Sequence, residues 1–160
     1  MRYLFSFLLA LLPVILSASD VEVKVYQGTS HFESHILCTV RDGKVYRQHS
    51  SFSSDIICNV QKNGIYKGEN HYSADLLYTI RDGQVYKGKS TFRSDILLTI
   101  RDGKIYRGTS TFQSDILATI RDGRVYDGTS TMNLDVRFTF DGPLTIEEFI
   151  AVWHAVNYVY

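Results

Sequence analysis

The sequence predicts an all-β repeat fold, in which six β-hairpin repeats form an antiparallel meander, curved or closed, followed by one C-terminal capping α-helix. Three observations predict it. A 20-residue phrase recurs without gaps from residue 21 to residue 140, and every copy contains two runs rich in β-branched and aromatic residues. After residue 142 the apolar period changes from two to about 3.6. Because a unit this short buries its apolar face only against a neighbour, residues 20–142 are expected to form one repeat domain.

The residues ahead of the repeats, 1–19, are predicted to be a signal peptide. Arg2 precedes a continuous apolar run, and small residues at Ser17, Ala18 and Ser19 offer a cleavage site before Asp20. The run is shorter than the roughly 20 residues that a membrane-spanning helix needs, and no second apolar run follows it. We therefore expect a bacterial protein that is exported to the periplasm or the cell exterior, with no membrane span in its mature form.

Side chains of the same type recur at fixed positions of the repeat. A tyrosine holds the sixth position of every unit: Tyr26, Tyr46, Tyr66, Tyr86, Tyr106 and Tyr126. A large apolar residue holds the twelfth position: Phe32, Phe52, Tyr72, Phe92, Phe112 and Met132. Glycine holds the eighth position in five units, with Gln48 as the exception, and aspartate holds the fifteenth in five units, with His35 as the exception. Columns this regular indicate that the six units share one conformation.

Consecutive β runs are predicted to pair through a two-residue turn, as at Asp102-Gly103, because Asp-Gly tolerates the positive φ that both central residues of a type I′ turn need. The pattern then pairs three residues with three others: Arg101 with Lys104, Ile100 with Ile105 and Thr99 with Tyr106. A slip by one residue would place Ile100 against Lys104, so the apolar pattern favours this register. In the second unit, residues 61–64 are predicted to form a longer, four-residue loop that keeps Val60 opposite Ile65. The strand after each turn is expected to continue to the twelfth position and to turn only near residues such as 113–115.

The alternative arrangement is a β-solenoid, in which equal columns stack ~4.8 Å apart. Stacking would bring the carboxylates of the aspartate column directly over one another, which is destabilising, whereas the meander separates equal columns by two strands, or roughly 10 Å. Cys38 and Cys58 hold the same position in adjacent units. A disulfide needs Cα atoms within about 7 Å, so stacked coils could bridge the two cysteines, while the meander predicts two free, buried thiols. Whether the sheet closes is left open.

The segment after the repeats, residues 143–160, is predicted to form an amphipathic helix that packs on the repeat domain. Thr145 with Glu148 three residues later is typical of a capping box. Four apolar residues then share one face: Phe149, Val152, Trp153 and Val156. A lone helix with so broad an apolar stripe needs a partner surface, so we expect it to serve as a plug or an end-cap.

Composition excludes several classes of function. Without Arg2, 16 basic and 17 acidic side chains remain, and this balance argues against nucleic acid as a partner. The sequence contains no Gly-rich phosphate loop, no Gly-x-Ser-x-Gly elbow and no His-Glu-x-x-His motif. Its Ser and Asp columns recur because the units recur, whereas an active site is usually asymmetric. We therefore predict a protein that is not an enzyme and needs no cofactor.

Two groups of residues are candidate sites. His31, Glu33 and His35 alternate, so on a strand they would project from one face and could hold zinc or copper; a solvated edge of the first unit is the alternative. The second candidate is a repeated ligand-binding surface, since tyrosine offers an apolar face and a polar tip, made of Tyr66, Tyr86, Tyr106, Tyr126, Asp75, Asp95 and Asp115. The structural alternative is that the tyrosines pack on the sheet and the aspartates hydrogen-bond within the turns.

These observations predict an exported, non-enzymatic repeat protein that acts as a structural or interaction module. The expected partner is a protein or a cell-envelope glycan, because six equivalent contact points can bind with avidity. The alternatives are a carbohydrate-binding module that uses the tyrosine and aspartate columns, and a self-associating fibre subunit. In layout the repeats resemble choline-binding cell-wall repeats and curli-type fibre subunits, although the paired tryptophans of the former and the Gln and Asn ladders of the latter are missing.

Overall fold

The structure is a computed structural model that describes residues 21–159. The segment predicted to be a signal peptide, residues 1–19, therefore lies outside the described residues. Within the described part of the chain, no helix is long and apolar enough to cross a membrane.

Twelve strands and one α-helix make up the described chain, with a short 3-10 turn before each even-numbered strand. The odd-numbered strands are β1 (Val23–Gln27), β3 (Lys44–Arg47), β5 (Gly64–Lys67), β7 (Gln84–Lys87), β9 (Lys104–Arg107) and β11 (Arg124–Asp127). The even-numbered strands are β2 (Ile36–Arg41), β4 (Ile56–Gln61), β6 (Leu76–Arg81), β8 (Ile96–Arg101), β10 (Ile116–Arg121) and β12 (Val136–Phe140). The helix α1 covers Ile146–Tyr158.

The strands form an antiparallel meander that closes into a barrel, so the predicted all-β repeat fold is confirmed and the question of closure is answered. Five hairpins are continuous in the chain, and the sixth is made from its two ends, because β1 pairs with β12. Asp141 secures this junction: its carboxylate accepts hydrogen bonds from the Lys24 backbone N–H at 2.7 Å and from the Tyr26 hydroxyl at 3.2 Å. Closure gives each of the twelve described strands two neighbours, so none of them offers a free edge for fibre assembly.

The predicted hairpin register is confirmed. Thr99 lies opposite Tyr106 and Ile100 opposite Ile105, and the two turn residues have φ values of 50° and 68°, as a type I′ turn requires. In the second unit, the predicted pairing of Val60 with Ile65 is confirmed, but the predicted four-residue loop is wrong. Gln61 pairs with Gly64 there, because Lys62 adopts the left-handed conformation, with φ 54°, and preserves the two-residue turn.

The predicted extension of the strands to the twelfth position is also wrong. Strand β9 ends at Arg107, and Gly108, with φ 56°, turns the chain away from the sheet. The chain then crosses the outside of the barrel and enters the 3-10 turn Gln113–Asp115 before the next strand begins. We call the six equivalent connections the outer loops: residues 28–35, 48–55, 68–75, 88–95, 108–115 and 128–135.

The one unit without glycine at the start of its outer loop should be the easiest to stabilise. Gln48 has φ 49°, a conformation that costs a residue with a side chain about 1–2 kcal/mol. We expect Gln48→Gly to raise the free energy of unfolding by about 1 kcal/mol, measured by urea denaturation.

A matched substitution at Gly68 should have the opposite effect on stability. Gly68 has φ 63°, and a Cβ built on it meets no atom within 4 Å, so Gly68→Ala should lower the free energy of unfolding by about 1 kcal/mol through the backbone alone. If Gln48→Gly destabilised the protein, a left-handed conformation at residue 48 would be contradicted.

The helix lies in the lumen of the barrel as a plug. The Phe149 ring stacks on Phe138 with centroids 6.4 Å apart, and the Cys58 thiol lies 3.6 Å from the backbone carbonyl oxygen of Ala151. Its buried residues extend beyond one stripe: Phe149, Ile150, Ala151, Val152, Trp153 and Ala155. A helix that is apolar on most sides is stable where protein surrounds it. The capping box predicted at Thr145 and Glu148 is present.

The two cysteines face this lumen and are free, as the meander predicts. Cys38 lies on β2 and Cys58 on β4, with β3 between them. Burial raises the pKa of the Cys58 thiol to about 12 and that of Cys38 further still. Both thiols therefore remain protonated at neutral pH and pack as small apolar side chains.

The outer face of the barrel has its own repeated hydrogen bond. In five units the threonine hydroxyl donates at 2.6–2.8 Å to the backbone carbonyl that opens an outer loop: Thr39 to Gln48, Thr79 to Gly88, Thr99 to Gly108, Thr119 to Gly128 and Thr139 to Gly28. In the remaining unit the Asn59 amide donates to the Gly68 carbonyl at 2.7 Å. These bonds fix the start of every outer loop against the sheet.

Candidate functional site

The most conspicuous surface feature is a ring of exposed apolar side chains, one on each outer loop. The six residues of the twelfth position are each 70–73% exposed. We call them the outer ring: Phe32, Phe52, Tyr72, Phe92, Phe112 and Met132. Scattered exposed apolar residues are ordinary, but here the same exposed position recurs in all six units.

The outer loops hold these side chains in a defined geometry. In five units a serine hydroxyl accepts a hydrogen bond of 3.1–3.2 Å from the backbone N–H of the ring residue: Phe32, Phe52, Phe92, Phe112 and Met132. In four of these units the same serine donates to the aspartate of the fifteenth position at 2.5 Å: Ser50 to Asp55, Ser90 to Asp95, Ser110 to Asp115 and Ser130 to Asp135. Loops ordered in this way present their exposed side chains with little conformational entropy left to lose on binding.

The aspartates singled out from the sequence thus have a local role in the outer loops. Asp95 and Asp115 accept from serine hydroxyls, and the backbone N–H of Asp75 donates to the Tyr72 carbonyl at 2.9 Å. All three side chains are half-buried. For Asp95 and Asp115 this is the turn-forming role given above as the structural alternative, whereas the bond of Asp75 is a backbone one.

The tyrosines singled out from the sequence lie on the outer face of the sheet, beneath the outer loops. Tyr106 and Tyr126 are buried, with 9% and 5% of their surface exposed, whereas Tyr66 and Tyr86 are half-buried. The His71 ring of an outer loop packs edge-on against Tyr66 at 6.1 Å. The four tyrosine side chains are therefore less exposed than the six residues of the outer ring, and Tyr106 also lines a groove between two outer loops.

The predicted metal cluster does not assemble. Glu33–His35 forms a 3-10 turn and not a strand, so the alternation of the three side chains is lost. The His31 ring packs on Tyr26 with centroids 5.6 Å apart, and Nδ1 of His35 lies 2.7 Å from the Ser30 hydroxyl. Across residues 21–159, no three His, Cys, Asp or Glu side chains come together in a group that could hold a metal ion.

A second cluster, which the sequence analysis missed, lies at the C-terminal part of α1. The Tyr78 hydroxyl is 2.9 Å from Nδ1 of His154, and the centroid of the His154 ring lies 5.4 Å from that of Tyr158. Burial raises the pKa of Tyr78 to about 12 and lowers the pKa of His154 below its ordinary value. Both groups are therefore neutral at pH 7, which suits a hydrogen bond from the tyrosine hydroxyl to the imidazole. The only sequence signal for this cluster, one histidine in an apolar helix, is too common in folded proteins to single it out.

Comparison with known proteins now identifies the fold. A family model described as "6-fold beta flower protein" matches residues 25–153. The chain belongs to this family. The beta flower is a six-fold repeat fold, and the match covers the barrel from β1 to the middle of α1. No curated protein and no solved structure matches the chain.

The plug of this beta flower should be sensitive to mild acid. In the unfolded chain a histidine takes up a proton near pH 6.5, whereas the half-buried His154 does so only at a lower pH because partial burial lowers its pKa. The unfolded state therefore binds more protons in that window, so the free energy of unfolding should fall as the pH drops below about 6.5 and should be insensitive to His154 above it.

The variant His154→Asn tests this dependence, because its side-chain oxygen can accept from Tyr78 but does not titrate. Urea denaturation at about pH 7.5 and about pH 5.5, on either side of the ordinary histidine pKa, should show a smaller loss of stability in the variant than in the natural protein. An equal loss in both proteins would contradict a role for His154.

Proposed function

We propose that this protein is an exported, multivalent interaction module whose outer ring binds a repetitive cell-envelope glycan. The observation that carries the proposal is the recurrence of one exposed apolar side chain at 70–73% exposure in all six units. Export rests on the predicted signal peptide at residues 1–19.

The spacing of the outer ring favours a polymer with a repeating unit. Equal positions of neighbouring units are two strands apart, or roughly 10 Å at the sheet, so the six side chains form separate contact points and not one patch. A standard protein partner buries about 800 Å² on each side around one apolar core. Six separate contact points instead suit a polymer that makes the same weak contact several times. Once one contact has formed, the others form at a high effective concentration, which raises the overall affinity.

The surroundings of the ring residues suit sugars. A shallow groove between two outer loops includes Thr111 and Gln113, the sequence neighbours of Phe112. Its lining is chiefly polar, with Ile116 as an apolar member: Lys104, Tyr106, Thr111, Gln113, Thr119, Thr129 and Thr131. An exposed aromatic side chain can pack against the C–H surface of a sugar, and the neighbouring hydrogen-bond donors and acceptors can bind the hydroxyl groups of that sugar. The repeat therefore combines the two chemistries that a glycan needs.

A polysaccharide-binding assay tests the proposal. We expect the natural protein to bind one or more immobilised bacterial cell-envelope glycans. The double variant Phe92→Ala with Phe112→Ala should bind them at least roughly fivefold more weakly, since each lost aromatic contact is worth about 0.5–1.5 kcal/mol. Leu134→Ala is the matched control, because Leu134 is 97% exposed but lies outside the outer ring.

Two results would contradict the proposal. One is glycan binding that the double variant retains in full, which would place the contact elsewhere. The other is an equal loss in Leu134→Ala, which would indicate non-specific apolar adsorption. Binding of a protein partner in place of any glycan would show that the outer ring serves the other class of macromolecule.

A further inference from the structure

The lumen of the barrel contains a cavity, which the barrel wall separates from the outer ring. It has a volume of about 280 Å³ and lies between α1 and the wall of the barrel. Its lining is mostly apolar: Val85, Leu97, Leu98, Leu117, Ile150 and Trp153, with Tyr78, Tyr158 and Arg107 as its polar members. A cavity of this size is just below the roughly 300–1,000 Å³ that is typical of ligand sites.

The cavity exists because the plug is off-centre. Helix α1 packs chiefly against β2, β3, β4 and β5, whereas the strand residues that line the cavity belong to β6, β7, β8, β9 and β10. The far side of the barrel therefore has inward-facing leucines that the helix does not cover, and Leu97 is 40% exposed. Well-packed interiors rarely contain voids of this size.

Arg107 of the cavity lining belongs to a column that is mostly basic, with Gln27 and Asp127 as its two members that are not. At the seventh position of the repeat, four successive units carry a basic residue, each paired across its hairpin with a residue of the inner face: Arg47 with Cys38, Lys67 with Cys58, Lys87 with Tyr78 and Arg107 with Leu98. Directly opposed residues of an antiparallel pair share a face, so these four side chains lie at the inner edge of the barrel. Within residues 21–159, no acidic side chain forms an ion pair with Lys67, Lys87 or Arg107.

From this juxtaposition we propose that the lumen cavity binds a small anionic amphiphile, a carboxylate with a hydrocarbon chain. The carboxylate lies at Arg107, where a guanidinium can make two parallel hydrogen bonds to it. The hydrocarbon chain lies between Leu117 and Trp153, where burial of apolar surface supplies the affinity. The neighbouring lysines attract anions to the rim and repel cations.

Trp153 reports on the cavity directly, because it is the only tryptophan of the chain and lines the site. The probe is decanoate, titrated below its micelle-forming concentration, with decanol and decyltrimethylammonium as neutral and cationic counterparts. We expect decanoate to change the tryptophan fluorescence in a saturable manner and to bind about tenfold more tightly than decanol, with the cation weaker still. No saturable change, or equal binding of all three probes, would overturn the proposal.

Two variants test where the ligand lies in the cavity. Arg107→Gln should weaken decanoate binding about tenfold and leave decanol binding unchanged, whereas the matched control Arg101→Gln, which removes an exposed arginine paired with Asp102, should change neither. Leu117→Phe should weaken both probes by filling the cavity, and its urea denaturation shows whether the barrel is intact. An intact Leu117→Phe variant that binds decanoate as tightly as the natural protein would overturn the proposal, as would equal losses in the two arginine variants.

Discussion

Replacing Phe138 by alanine is expected to lower the free energy of unfolding by about 3–5 kcal/mol. The Phe138 side chain is fully buried on the inner face of β12, where it stacks on Phe149 of the plug. Its loss removes apolar contacts between barrel and helix and leaves a void that a closed sheet cannot easily fill. Chemical denaturation followed by circular dichroism measures the effect.

Phe112→Ala is the matched control for this substitution. The residue type is the same, but Phe112 is 73% exposed on an outer loop, and surface substitutions of this kind usually change stability by no more than about 0.5 kcal/mol. A comparable loss in the two variants would contradict the assignment of Phe138 to the core and of Phe112 to a contact surface.

Introducing proline at Val25 should open the barrel. Val25 is fully buried in β1, where it faces Phe140 on one side and Cys38 on the other. Proline in a central strand removes a backbone donor and disrupts pairing, at a cost of about 3 kcal/mol or more in regular structure. Because β1 joins the two ends of the sheet, its release also frees edges on β2 and β12, which promotes self-association.

Denaturation and light scattering together test this expectation. Val25→Pro should be strongly destabilised and should self-associate, whereas Val21→Pro should behave as the natural protein does, because Val21 precedes β1 and is 57% exposed. Equal stability of the two variants, with both monodisperse, would contradict the claim that pairing of β1 with β12 stabilises the barrel.

Closure has a consequence for both proposed sites. The outer ring is separated from the lumen cavity by the wall of the barrel, so substitutions at Phe92 or Phe112 leave the cavity lining intact, and substitution of Arg107 leaves the outer loops intact. The two proposals can therefore fail independently. The tyrosine column lies on the outside of this wall, beneath the outer loops, and Tyr106 lines the groove between two of those loops.

Local pattern established much of the architecture. The Asp102-Gly103 turn and the facing pair Ile100 and Ile105 specified the hairpin register, because the period of two allows no slip without exposing apolar side chains. The pairing of Thr145 with Glu148 specified the start of the helix. These features depend on interactions between residues that are close in sequence, so they can be predicted without the tertiary structure.

The tertiary structure alone decided the features that depend on distant residues. The pairing of β1 with β12 follows from twist and curvature accumulated over twelve strands, and the position of α1 inside the barrel depends on the space that this curvature leaves. Whether a column is buried or exposed also depends on where the outer loops run: Tyr106 lies beneath them, whereas Phe112 lies on their surface. The sequence of one repeat determines the conformation of that repeat. Which of its side chains are buried depends on the neighbouring repeats and on the helix, whose positions follow from closure of the barrel.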